Sequence, residues 1–210
     1  MSLASLRVKI DLLLHTSRTR GRRAAARQAK DLLKDFLGGK QAQLQYPRVQ
    51  WGEGVFVRGP LEIRGSGTVI IGDGCIFDWT GVPNRIHAPA PEARVEFGNG
   101  VYLNGVTIIA NESVRIGDRS VIGACTIIDS DFHGVGANDR NAGGLIRPVV
   151  IEENVWVGTD AHVLKGVRIG RDCVIGAGTV VRRSVPPGKI VIGNPAEQVG
   201  DIPGSGTDGS

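Results

Sequence analysis

Cut every six residues, positions 151–186 read IEENVW, VGTDAH, VLKGVR, IGRDCV, IGAGTV and VRRSVP. Each hexad opens on Ile151, Val157, Val163, Ile169, Ile175 or Val181, and its fifth place holds Val155, Ala161, Val167, Cys173, Thr179 or Val185, all small or β-branched. A period of six suits a solenoid. If each hexad is a short strand and a turn, three of them make one triangular coil, as from Ile151 to Ile169, and coils stack at the inter-strand spacing of about 4.8 Å. The aliphatic first place then points into a narrow prism on every coil, with the small fifth place beside it near the corner. Glycine in the second place, as at Gly117, Gly123, Gly158, Gly170 and Gly176, is expected to relieve the backbone at the turn.

Upstream the frame reads FGNGVY, LNGVTI and IANESV from Phe97, Leu103 and Ile109, slips by one residue at Arg115, and resumes as IGDRSV and IGACTI from Ile116 and Ile122. IGDGCI from Ile71 is an earlier turn. A mainly β repetitive fold from about Leu61 onward explains the composition of the 210 residues. There are 31 glycines but only 5% aromatics and a single Met, as expected if glycines mark turns and a Val/Ile ladder replaces a core of Phe, Trp and Met. With 41% hydrophobic and 22% charged residues the chain has the balance of a folded protein and not of a disordered one. Cys75, Cys125 and Cys173 are odd in number and widely spaced, so no disulfide framework is expected and a reducing, cytoplasmic setting is the default. Cys75 and Cys173 fall at inward fifth places and read as core. No apolar run approaches the roughly 20 residues of a membrane span, and no secretory signal pattern is present.

Charge is uneven along the chain. Residues 1–40 carry ten Lys and Arg against three acids, a net +7, while the remainder is −3. Leu3, Leu6, Ile10, Leu13 and Leu14, and then Ala25, Ala29, Leu32, Leu33 and Phe36, recur at helical spacing. The spacing predicts two amphipathic helices joined around Gly21, the second ended by Gly38-Gly39. Residues 1–40 are thus a basic helical extension. Its arginines suit a peripheral contact with anionic headgroups at the inner face of the membrane, or its apolar stripes pack on the protein or a neighbouring copy. Nucleic acid is not an expected partner, because Phe36 is the one aromatic in this segment available for stacking. Residues 41–200 form the solenoid domain and 201–210 a flexible tail.

Five strings follow one another in a specific order: VYLNGVTI around Asn104, DSDFH ending at His133, VIEENVWVGTDAHVLKGVRIG, VIGAGTVV, and SVPPGKIVIGNPA. From about Val55 to Val199 the chain resembles the left-handed β-helix acyltransferases of the hexapeptide-repeat superfamily, in particular the sugar O-acetyltransferases of the maltose, galactoside and lipopolysaccharide type. The resemblance implies a left-handed parallel β-helix with a short α-helical N-terminal extension. It also implies acetyl-CoA as donor, no metal, a sugar or surface-polysaccharide precursor as acceptor, and a homotrimer with active sites between subunits.

The 22 residues 129–150, DSDFHGVGANDRNAGGLIRPVV, have no hexad frame and predict a loop. Loops on rigid scaffolds commonly carry function. Acyl transfer from a thioester needs a base to take the proton of an incoming hydroxyl or amine, and imidazole has a fitting pKa. The resemblance puts that base at His133, with direct attack in a ternary complex. Asp131 or Asp129 is a candidate to orient His133 or to bind acceptor hydroxyls, the alternative being a turn cap. By resemblance Asn104 lies on the acceptor side, although Asn also tolerates a solenoid corner. Trp156 is too large for the prism and is expected outward beside the loop; the resemblance implies that it helps wall the site, the alternative being simple surface packing.

The resemblance further implies that the pantetheine arm pairs with backbone near Gly158, Thr159 and Ala177. Arg182 and Arg183 then meet the CoA phosphates, Arg183 standing at the matching position. Ser184 replaces a frequent acid. Leu145-Ile146-Arg147 precedes Pro148 where maltose-type relatives carry an acid, which favours surface-polysaccharide assembly over small sugars as the setting. The competing readings are an N-acetyltransferase of an amino-sugar or sugar nucleotide, which would use the same base, and a non-catalytic structural solenoid, which leaves the DFH loop unexplained. A γ-class carbonic anhydrase is disfavoured because His87, His133 and His162 lack the close spacing of its zinc site.

Overall fold

The hexads fold as strands of two to five residues, and in the computed structural model, which describes Thr16 and residues 22–204, they stack into three sheets. Face one stacks Gln50–Trp51, Thr68–Ile71, Arg94–Phe97, Ser113–Ile116, Val149–Ile151 and Arg168–Ile169. Face two stacks Phe56–Val57, Ile76–Asp78, Tyr102–Asn104, Val121–Ile122, Trp156–Val157 and Val174–Ile175, and closes with Lys189–Ile192 and an antiparallel Glu197–Asp201. Face three stacks Leu61–Gly65, Asn84–Ala88, Thr107–Ile109, Thr126–Ile128, His162–Val163 and Val180–Val181. The result is a β-solenoid of about six turns, beginning at Gln50, one coil earlier than the hexad frame first shows it.

Parallel register turns the first places into three inward ladders. Ile71, Phe97, Ile116, Ile151 and Ile169 stack on face one. Phe77, Leu103, Ile122, Val157, Ile175 and Val191 stack on face two, and Ile86, Ile108, Ile127, Val163 and Val181 on face three. All are buried, and each such side chain contributes about 1.5–3 kcal/mol. Two aromatics do enter the prism: Phe77 and Phe97 meet edge to face, with ring centroids 5.9 Å apart. The three cysteines are buried as well, and burial pushes the thiols of Cys75 and Cys125 up to about 11 and about 12.

Two expectations about the frame are corrected. Ile108, not Ile109, faces inward, because the step from Leu103 is five residues long. The short corner turns at Gly105 (φ +79°), where buried Asn84 accepts the N–H groups of Gly105 and Val106 at 2.9 and 3.2 Å. The next step, from Ile108 to Ile116, is eight residues long, so two extra residues lie between them in place of the single one read at Arg115, and a second five-residue step brings Ile127 inward after Ile122. The second-place glycines also serve differently. None has a positive φ; instead, a Cβ on Gly117, Gly158 or Gly170 would come within 2.6, 2.7 or 2.4 Å of the next coil's backbone. The left-handed turn residue is the fourth place, where Gly54, Gly74, Gly100, Arg119, Asn154, Asp160, Gly166, Asp172 and Gly178 have φ between 55° and 72°.

Helix α1 (Arg22–Gln45) continues through Gly38-Gly39 and does not end there. Glycine inside a helix costs about 1 kcal/mol against alanine. The cost is met because a Cβ would lie 2.1 Å from the Val57 carbonyl oxygen at Gly38 and 2.3 Å from that of Val55 at Gly39. These glycines let the helix lie directly on the first coil. Arg58 Nε then donates to Asp35 of the helix at 2.8 Å, and the Tyr46 hydroxyl to the Leu61 carbonyl at 2.8 Å. The expected first helix, Leu3 to Leu14, and residues 205–210 of the expected tail lie outside the described residues.

Candidate active site

The predicted loop leaves after Thr126–Ile128 and rejoins at buried Val149. Its root is held by Asp129, which is fully buried and accepts the N–H groups of Asn111 (2.8 Å) and Glu112 (2.7 Å) from the preceding coil. Asp129 is thus a cap of the solenoid, and its oxygens face away from an orienting role toward His133. Above it the two limbs of the loop pair: Ser130 bridges Ile146, Asp131 N–H meets Leu145 O at 3.1 Å, and Arg147 N–H meets Asp129 O at 2.9 Å.

Beyond this stem the chain turns sharply. His133 N–H donates to the Asp131 carbonyl at 2.8 Å across Phe132, whose φ is +63°. For a bulky residue that conformation costs on the order of 1–3 kcal/mol. The His133 ring is exposed, with Nδ1 3.1 Å from the Arg140 carbonyl oxygen. A carbonyl can only accept, so Nδ1 carries the proton of the neutral ring and Nε2 keeps its lone pair. That tautomer is the one a general base needs. Asp131 does not reach the imidazole with its carboxylate; Oδ1 is bound by Lys165 Nζ at 2.5 Å. Lys165 carried no signal in the sequence, since a lysine in the third place of a hexad reads as a solvated turn.

The remaining candidates divide between two corners of the prism. Asn104, Gly158, Thr159 and Ala177 follow the stacked strands of face two and line the corner that leads to face three. Asn104 is half-buried and accepts from Thr80 Oγ1 at 3.0 Å. Beside it, burial acts to raise the Asp78 carboxyl, but hydrogen bonds from the Tyr102 hydroxyl, the Trp79 N–H and Arg58 outweigh it and hold the group below the usual range. Gly158 spends its N–H on Ile175 O at 2.8 Å, so the backbone donors without a partner among the described residues at this corner include those of Ala124, Thr159 and Ala177.

His133, Asp131, Lys165, Arg182 and Arg183 stand at the other end of face three, on the corner leading to face one. Arg182 and Arg183 are exposed, have no ion-pair partner among the described residues, and line a cavity of about 340 Å³ with Ser184, Pro186, Pro195 and Gln198. Ser184 Oγ is used locally, accepting from Arg168 N–H at 3.0 Å. Trp156 projects outward as expected and is 56% exposed, but on face two, which lies opposite the corner that bears the loop. Within one chain, then, Trp156 and Asn104 are not beside His133. Among the described residues no group of three or more His, Cys, Asp or Glu is placed to hold a metal ion.

A family model described as bacterial transferase hexapeptide (six repeats) matches residues 148–183. Over 104 residues the chain is 38% identical to a galactoside O-acetyltransferase of Lactococcus lactis, covering 49% of this chain and 50% of the relative. It is 32% identical to a putative lipopolysaccharide biosynthesis O-acetyl transferase, WbbJ, of Escherichia coli, covering 67% of this chain and 76% of the relative. The chain therefore spans half the length of the first of these and three quarters of the second. Among solved structures, a galactoside acetyltransferase in complex with coenzyme A is 25% identical with a TM-score of 0.55, over 78% of this chain and 70% of that one.

Proposed function

Because this chain belongs to the hexapeptide-repeat acetyltransferases, we propose that it moves an acetyl group from acetyl-CoA to a hydroxyl of a sugar or surface-polysaccharide precursor, with His133 as general base. The observation that carries this reading is the bond between His133 Nδ1 and Arg140 O, which leaves Nε2 free to take a proton. In the reaction Nε2 removes the acceptor's hydroxyl proton as its oxygen attacks the thioester carbonyl carbon. The tetrahedral intermediate then collapses, the carbon–sulfur bond breaks, and the imidazolium returns the proton to the departing CoA sulfur. Asn104, Asp131 and Trp156 are read as acceptor-side groups. The N–H groups of Thr159 and Ala177, beside Gly158, suit the pantetheine arm, and the cavity at Arg182 and Arg183 suits the CoA phosphates.

A homotrimer with its sites between subunits completes this arrangement. Support comes from the split of the candidates over two corners and from the outward side of face two, where Phe56, Ile76, Tyr102, Val121, Trp156, Val174 and Ile190 form an unbroken apolar ladder. The loop adds exposed Phe132, Val135, Leu145 and Ile146. No helix among the described residues is long and apolar enough to cross a membrane. Residues 1–40 are read as a peripheral contact with the inner face of the membrane of the cell in which the enzyme works.

His133→Ala should lower kcat/KM for CoA release in the presence of a sugar acceptor by about 100-fold or more while acetyl-CoA still binds. Near-normal transfer by this variant would sink the base assignment. Lability of the product to mild alkali separates an acetyl ester from an acetamide and so decides between oxygen and nitrogen as the acceptor atom.

A further inference from the structure

His133 stands on a turn that needs external support. Phe132 at its centre holds a φ of +63°, which bulky side chains avoid, and the turn closes through the His133 N–H to the Asp131 carbonyl. Asp131 is therefore the residue that must be fixed if the imidazole is to keep its place. Its carboxylate is held by Lys165, which lies two residues past the inward Val163 on the coil after the loop. The side chains of the pair are only 25% and 26% exposed, so solvent screens them less than a surface pair. The other limb of the loop is tied to the same turn of the solenoid, since Gly166 N–H donates to Arg147 O at 3.0 Å.

We propose that Lys165 is a positioning residue: its ammonium ties Asp131 to the rigid coil and so fixes the strained Asp131–Phe132–His133 turn that sets the imidazole. The inference deepens the assignment of His133 as base and rests on it. Lys165 has a second effect, because it neutralises a carboxylate two residues from the ring. The charged groups around the turn are Asp131, Asp139, Arg140 and Arg147 on the loop, Lys165 on the following coil, and Asp129 with Glu112 at the root. Without the ammonium, the Asp131 carboxylate is released to face and stabilise the imidazolium.

The test is an NMR titration of the His133 ring in histidine-labelled protein, its signal assigned by loss in His133→Asn. Lys165→Met should raise the midpoint by about half a pH unit or more. Lys165→Arg should keep the wild-type midpoint, and the double variant Asp131→Asn with Lys165→Met should return to it. An unchanged midpoint with a single unbroadened His133 signal in Lys165→Met, or a midpoint that stays as high in the double variant as in Lys165→Met and so does not act through Asp131, overturns the proposal. Should Lys165→Met not fold, Asp131→Asn gives the second measure. Its His133 signal should broaden or split as the turn is released, and a single unchanged signal refutes the tether. None of these readings involves acetyl transfer, so the fate of Lys165 here and that of the base in His133→Ala are decided separately.

Discussion

Asp129 and Asp131 stand two residues apart and have different partners. Asp129 is buried with two backbone N–H groups on its carboxylate, while Asp131 is a quarter exposed and paired with an ammonium. Removing the Asp129 acceptor leaves both N–H groups without their partner at a part-buried corner. Asp129→Ala should therefore lower unfolding free energy in urea by about 3 kcal/mol, with Asp129→Asn milder because one oxygen remains. A variant as stable as the wild type would contradict the capping role. At this scale the DSDFH string marks His133 as a candidate, since it interrupts a regular frame. The partner of Asp131 was not legible, because Lys165 lies 34 residues away and meets it only through coil stacking.

Among the elements, the strands followed from the hexads, and the misread steps have a common cause. Gly105 and the corner after Ile122 each omit one residue while the step from Ile108 to Ile116 adds two, and a frame counted in sixes reports only the net gain of one before Ile116. Helix α1 was legible as a helix but not in its end, because Gly38-Gly39 resembles a terminator when the carbonyls of Val55 and Val57 beneath it are unseen. The outward side of α1 bears Leu33, Leu37 and Leu44, 58%, 56% and 84% exposed, with Lys30 and Lys40 exposed beside them and Asp31 and Asp35 turned away. Such a face suits an anionic surface. The protein should float with vesicles containing phosphatidylglycerol but not with phosphatidylcholine alone, and Leu33→Asp with Leu37→Asp should abolish flotation. Wild-type protein that stays in solution with both vesicles would remove the membrane reading.

Across the whole molecule the three faces differ on their outer sides. Face one presents Glu96, Arg115 and Arg168, and face three presents Arg85, Thr107, Thr126 and His162. Down the middle of face two runs an outward ladder of apolar and aromatic residues with Trp156 near its centre, and Asp78 and Asn104 lie beside it on the side toward face three. An arginine there would bring an unpaired charge into any contact between copies. Sedimentation velocity should show wild-type trimers and Trp156→Arg shifted toward monomers, with unchanged circular dichroism and a matching loss of activity. A fully active wild-type monomer would end the trimer proposal.

What the sequence determined by itself was the solenoid, most of its inward ladders and the one long interruption read at 129–150. Period-six burial is a local rule, repeated often enough that each hexad confirms the last. Only the tertiary structure decided where the interruption sits. It set the loop on the corner opposite the Trp156 face and put Asn104 across face three from His133. It also seated α1 on the first coil through two glycines and brought Lys165 to Asp131. These outcomes depend on which residues become neighbours when coils stack, and that is set by corner geometry accumulated over turns, to which no single hexad refers.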